Sequence, residues 1–221
     1  MFSIVTKKAG ESMSDHESDV LLEDKTFFQH KNAFFIPHES VGNFLQEGFE
    51  GAAAIDLAKH YALQFDWKNK LFVDVGARTG LWSVALAKEF KEVVAIEPNR
   101  RNYYALCGSV ALSGLDTVHC IHQPKIQQPP KDLQTLLTSI PVSTQTIGLL
   151  RVDDSDNDEY TFLYFARELL VTSQRPPILF QTEAQKKPFI FSLLRDKTYG
   201  LEYQNIRSVP ELADTYIATT K

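Results

Sequence analysis

One stretch constrains this chain more than any other. Residues 71 to 80 read Leu-Phe-Val-Asp-Val-Gly-Ala-Arg-Thr-Gly, and the following six, Leu-Trp-Ser-Val-Ala-Leu, carry on in a helical pattern. A short apolar run that ends in a glycine-containing turn reads as a buried strand, and the segment after it as a helix. Such a strand-turn-helix lets backbone approach a ligand and leaves the first helical N–H groups free to bind it. About twenty residues further on, a second apolar run, Val93 to Ile96, ends at Glu97 and Pro98. An acidic side chain in that place, beside the first strand, is positioned to accept hydrogen bonds from ribose hydroxyls.

The glycines narrow the ligand. A dinucleotide fingerprint begun at Gly76 requires glycine at 78 and 81, and those positions hold Arg78 and Leu81. The pattern D-x-G-x-x-x-G is satisfied instead by Asp74, Gly76 and Gly80. In this the chain resembles S-adenosylmethionine-dependent methyltransferases of the Rossmann-like class.

Composition sets the frame. A chain of 221 residues with 43% hydrophobic content suits one α/β domain with additional sequence at its N-terminus, and needs no metal or disulfide to close a core. The two cysteines, Cys107 and Cys120, form no C-x-x-C pair and read as buried, reduced thiols, which suits a cytoplasmic protein. The N-terminus is too short in apolar residues for a signal peptide, and no run reaches the roughly eighteen apolar residues of a membrane span. A net charge of −5 argues against a phosphate-tracking surface, so nucleic acid is not the expected partner.

Taken in order, residues 1–25 form an acidic and mobile arm: Glu11 to Asp24 carries six carboxylates and no lysine or arginine. Residues 26–70 read as a cover segment, with extended signals at Phe27–Phe28 and Phe34–Ile36 and a helix over Ala52–Leu63. From Leu71 strands and helices alternate to the end. Strands are expected at 71–75, 93–97, 118–122, 147–152 and 178–183, helices at 80–90, 101–113, 133–139, 160–172 and 189–194. Two closing strands follow near 201–206 and 215–218. The alternation implies a mainly parallel sheet covered on both faces, whose ligands bind past the carboxyl ends of the strands.

Further along, the chain resembles the FkbM-type methyltransferases. The likeness rests on Val73-Asp-Val-Gly-Ala-x-x-Gly80, on Ala95-Ile-Glu-Pro-Asn99 and on Leu112-Ser-Gly-Leu115. It continues in Leu149-Leu-Arg-Val-Asp153, where the family usually has lysine in place of Arg151, and in the segment from Arg175-Pro to Glu183. It implies a seven-stranded Rossmann-like sheet with its last strand pair antiparallel, S-adenosylmethionine as methyl donor, and a hydroxyl-bearing small-molecule acceptor such as a sugar. The cofactor residues it implies are Asp74, Gly76, Ala77, Arg78, Thr79, Gly80, Glu97, Pro98, Asn99 and Gln123, with His122 near the adenine. Two departures stand out: Arg78 replaces a usual asparagine, and Ser155 replaces a usual glutamate, with Asp154, Asp156 and Asp158 nearby.

Methyl transfer to an alcohol needs alignment of oxygen, methyl carbon and sulfur, and a base for the hydroxyl proton. Asp153 is the first candidate for that base and Glu183 a second acceptor-site carboxylate; a helix cap and a strand end are their structural alternatives. Arg78 is left open between the cofactor's methionine carboxylate, an acidic acceptor, solvent, and obstruction of the cofactor. The run from Asp154 to Asp158 fails as a calcium loop, since Glu159 and Phe165 stand where glycine and glutamate are required. A magnesium-dependent catechol-type enzyme lacks its second acidic pair in Thr182–Gln185, so no metal is assigned. A degenerate family member serving as an interaction module is the alternative from another class.

Overall fold

The computed structural model describes residues 3–6, 26–30, 33–35, 55–56, 58–59, 67–123, 133–142, 146–153, 159–209, 212 and 214–220. Two sheets are present among these residues. Strands β1 (Ser3–Thr6), β2 (Thr26–His30) and β3 (Ala33–Phe35) form a small antiparallel sheet in that order. The expected extended signals thus become a pair, β2 with β3, joined by a strand from the first six residues. The acidic run Glu11–Asp24 lies outside the described residues, as does most of the expected helix 52–63. Of that helix Ile55 and Ala58 are helical and buried.

The large sheet has seven strands: β4 (Leu71–Val75), β5 (Glu92–Glu97), β6 (Val118–His122), β7 (Ile147–Val152), β8 (Ile178–Gln181), β9 (Asn205–Ser208) and β10 (Thr215–Thr219). Their spatial order is β6-β5-β4-β7-β8-β10-β9. All neighbours are parallel except β10, which runs antiparallel to both β8 and β9. This is the mostly parallel, doubly covered sheet that the alternation of strands and helices predicts.

Alternate side chains of each strand enter opposite cores, as the two-residue strand period requires. Phe72, Ala95 and Leu149 pack with helices α1 (Leu81–Leu86) and α2 (Arg100–Leu112). Val73, Val94 and Leu150 pack with α3 (Leu133–Thr138), α4 (Glu159–Thr172) and α5 (Lys187–Arg195). Below α1, Phe90 stacks on Trp67 at 4.7 Å and on Phe72 at 5.2 Å between ring centres. Each such pair adds about 0.5–1.5 kcal/mol beyond simple burial. The small sheet touches this same side of the molecule, with β3 lying against α1 and α2.

One closing strand starts later than the sequence suggests. Leu201 and Tyr203 are fully buried but unpaired, because Glu202 between them has φ 52 and turns the chain out of extended geometry. Tyr203 is tied inward instead, its amide donating to the Leu194 carbonyl and its hydroxyl to that of Pro176. Pairing with β10 begins only at Asn205.

Register decides where the site forms. Val75 stands opposite Ile96 on one side and Val152 on the other, and Glu97 stands opposite His122. The carboxyl ends of four neighbouring strands are therefore level, and the residues just past them meet.

Candidate functional site

The turn after β4 is pinned to β5 by backbone. The amides of Gly76 and Ala77 both donate to the Ile96 carbonyl, at 2.9 and 3.1 Å. Along the turn, Gly76 (φ 77), Arg78 (φ 51) and Gly80 (φ 92) are left-handed and alternate with Ala77 and Thr79, which are not. Glycine adopts that conformation freely, whereas a residue with a Cβ is strained by roughly 1–2 kcal/mol. Arg78 carries that strain in return for its position. Gly80 is fixed by packing as well: a Cβ there would lie 2.6 Å from Cδ1 of Leu106 on α2. This glycine of the motif therefore brings two helices together, whatever else it does.

Glu97 closes the other wall. It is 3% exposed, and its carboxylate accepts the Arg78 amide at 2.6 Å through Oε2 and the Asn99 amide at 2.8 Å through Oε1. A carboxylate has about four acceptor positions, and these two backbone bonds fix its orientation. Pro98 separates Glu97 from Asn99, whose side chain caps α2 by accepting the amides of Arg101 and Asn102. Gln123 adds its amide to the Glu97 carbonyl at 3.3 Å, and the His122 ring rests on Tyr103 of α2 at 5.2 Å. Cys107 and Cys120 form no disulfide and are only partly buried. Burial, and after it the neighbouring Cys107, pushes the Cys120 thiol up to about 12.

Asp74 and Asp153 meet a residue that the sequence reading did not assign to the site, Arg151. Asp74 is fully buried; one oxygen accepts the Ser83 hydroxyl at 2.6 Å, and the other accepts Nη1 of Arg151 at 2.8 Å. Arg151 also reaches the Gly76 carbonyl at 3.4 Å and donates through Nη2 to Oδ2 of Asp153. Its guanidinium lies 5.2 Å from the centre of the Trp82 ring. A buried charge is tolerated only when paired and hydrogen-bonded, and one planar fork with five donors serves both aspartates at once. Strand alternation gives only its face, that of Leu149; the register that sets Arg151 opposite Asp74 lies outside local periodicity.

Asp153 completes the junction. Its amide donates to the Val75 carbonyl at 2.9 Å, its Oδ2 faces Arg151, and its Oδ1 lies 3.8 Å from Nη2 of Arg78. Contacts thus link Gly76, Arg78, Glu97, Asn99, Gln123 and Asp153 just past the ends of β4, β5, β6 and β7, with Asp74 and Arg151 joined to them. Glu183 is not drawn in. It is exposed past β8, its carbonyl accepts the amides of Lys186 and Lys187 near the start of α5, and among the described residues no contact joins it to Asp153. Beside it the buried Thr182 hydroxyl has no hydrogen-bond partner among the described residues. Asp154, Ser155, Asp156 and Asp158 lie outside the described residues. Among the described residues no cluster of three metal-ligating side chains occurs, and no helix is long and apolar enough to cross a membrane.

No protein-family model matches the sequence, and no curated protein matches it. Solved structures do match. Precorrin-6y C5,15-methyltransferase from Geobacter metallireducens is similar over 72% of this chain and 85% of its own, at 12% identity and a TM-score of 0.53. TYW2 from M. jannaschii, solved with AdoMet, is similar over 88% of this chain and 83% of its own, at 19% identity and a TM-score of 0.53. The likeness is one of fold: a Rossmann-like seven-stranded sheet, mostly parallel with its last strands antiparallel.

Proposed function

We propose that this chain is an S-adenosylmethionine-dependent O-methyltransferase of FkbM type, acting in the cytoplasm on a hydroxyl of a sugar-like or other small polar acceptor. The observation that carries the reading is the preset Glu97. Its two oxygens are oriented by the Arg78 and Asn99 amides. A carboxylate so held, past the strand next to β4, suits the paired hydroxyls of a ribose, and the residues present fit an adenosine-bearing cofactor.

Glu97 would hold the ribose, the turn from Gly76 to Gly80 would face the amino-acid end, and Gln123 with His122 would border the base. When bound, the cofactor supplies an electrophilic methyl group on a cationic sulfonium. The chain's own part in the reaction is alignment and proton removal. Asp153 accepts a hydrogen bond from the acceptor hydroxyl and takes its proton as that oxygen gains the methyl group. Arg151 keeps Asp153 turned toward the cleft by holding its other oxygen. Asp74, spent on Ser83 and Arg151, orders the floor beneath them.

Calorimetric titration with S-adenosylmethionine and, separately, S-adenosylhomocysteine tests the reading. Micromolar one-to-one binding is expected. Hydroxylated acceptors are then screened for turnover, with Asp153→Asn expected to lower turnover while sparing cofactor affinity. Equal turnover in both proteins removes Asp153 as base. The Arg78 side chain, which reaches across the cleft to Asp153, favours a second reading, a fold retained for interaction only. Absence of binding at millimolar cofactor selects that one.

A further inference from the structure

Tyr103 and His122 set the register between α2 and the edge strand β6. Their rings stand 5.2 Å apart. Helix α2 runs against β6, because it links two parallel neighbours, β5 and β6. Four residues forward on a helix and two back on a strand cover nearly the same distance, about 6 to 7 Å, and each step returns to the same face. One such step from Tyr103 and His122 brings Cys107 of α2 to Cys120 of β6. The electrostatics agree. A hydrogen bond with Cys107 is the first cause that raises the Tyr103 hydroxyl, and Cys107 follows burial in raising the Cys120 thiol. The sequence alone reads both thiols as buried; in the fold both are only partly buried, and the chain has no other cysteine.

The geometry points to Cys107 and Cys120 as a reversible dithiol pair, which small disulfides of the glutathione type convert to a bridge clamping α2 to β6. Two exchanges complete it. The Cys107 sulfur attacks one sulfur of glutathione disulfide, and the first glutathione leaves with the Cys107 proton. The Cys120 sulfur then attacks the Cys107 sulfur of the mixed disulfide, and the second glutathione leaves with the Cys120 proton. Two protein thiols lose two electrons, and one disulfide is reduced to two thiols. Burial, and after it Cys107, keeps Cys120 protonated, so Cys120 closes the bridge rather than starting the exchange. The consequence falls at the end of β6. There His122 stands opposite Glu97, and the Gln123 amide donates to the Glu97 carbonyl at 3.3 Å. Strand β6 has a sheet neighbour on one side only, so its end opens more readily than strands inside the sheet. A bridge at Cys120 holds that end against α2 and protects the Gln123 bond. None of this depends on what the chain binds.

The test equilibrates the wild type, Cys107→Ser and Cys120→Ser in glutathione buffers of rising oxidation, both natively and in concentrated urea. Thiols are then quenched, and peptides are mapped by mass spectrometry without reduction. The wild type should give a linked Cys107–Cys120 peptide pair, at a glutathione poise at least about tenfold more reducing in the native protein than in urea. The single variants should show only free thiol or a glutathione adduct. Amide exchange followed by NMR reads the clamp. Exchange at Gln123 should slow at least about threefold when the wild type is oxidised, recover with dithiothreitol, and ignore the buffers in both variants. Three results overturn the proposal: a bridge that forms no more readily in the native chain than in urea, a native protein that takes up glutathione without closing, or exchange at Gln123 that is indifferent to the bridge. Should a variant fail to fold, the reversible change in the wild type decides alone.

Discussion

The ends of β5 and β7 both bring a carboxylate to one cleft, and they hold it by different means. Glu97 is held by two backbone amides, of Arg78 and Asn99. Amides are neutral and are placed by the fold itself, so these two bonds orient Glu97 through the backbone. Asp153 is held by two guanidiniums, of Arg151 and Arg78. Those carry full charge on long side chains, so the position of Asp153 depends on side chains as well as on the backbone. The first arrangement suits a fixed recognition element and the second an element whose environment changes when ligand enters.

Arg151→Met is the largest way to break the second arrangement. It leaves Asp74, fully buried, without its counter-charge. Removing one partner of a buried pair costs about 3–5 kcal/mol, so the urea midpoint should fall sharply. The double variant Arg151→Met with Asp74→Leu removes the stranded charge and should recover most of that loss. A midpoint that barely moves in the single variant would mean that Asp74 is reached by solvent or another cation.

Why the second arrangement was harder to read in the sequence follows from the same contrast. Asp74, Gly76, Gly80 and Glu97 lie on local signals, namely a strand end, a turn and an acid past the next strand, and the structure places each of them at the turn or the wall around it. The strand-helix alternation likewise carries through to a mostly parallel, doubly covered sheet, because buried apolar runs and turn residues are local properties. Arg151 was legible only as a motif letter. Its role arises from a register 77 residues apart in sequence, which periodicity does not encode. Glu183 was read from motif spacing as well, and local spacing does not tell how far it stands from Asp153: β8 ends with that residue exposed and its carbonyl engaged by α5. The late start of β9 was hidden in one backbone angle, at Glu202.

Glu97→Gln probes the first arrangement with an intermediate effect. The amide keeps one acceptor oxygen but turns the other into a donor facing a backbone N–H. Loss of buried hydrogen bonds of this kind costs about 1–3 kcal/mol, or roughly five- to 150-fold in S-adenosylmethionine affinity. Asp153→Asn, run beside it, should spare affinity and lower turnover. If the two variants weaken the cofactor equally, the division into a recognition carboxylate and a reactive one is wrong.

Asn99→Ala gives the smallest effect and the finest distinction. The Asn99 side chain caps α2 by accepting two amides, while its own backbone amide donates to Glu97. Loss of such a cap costs about 1 kcal/mol of stability, seen as a shift of a few degrees in melting temperature. The amide that orients Glu97 survives the substitution, so affinity for S-adenosylmethionine should drop less than in Glu97→Gln. Asn99→Asp, which keeps a capping oxygen, should restore the melting temperature but sets a second carboxylate near Glu97. An affinity loss in Asn99→Ala as large as that in Glu97→Gln would show that the amide bond to Glu97 depends on the cap. The hold on Glu97 would then rest on a side chain after all, as the hold on Asp153 does.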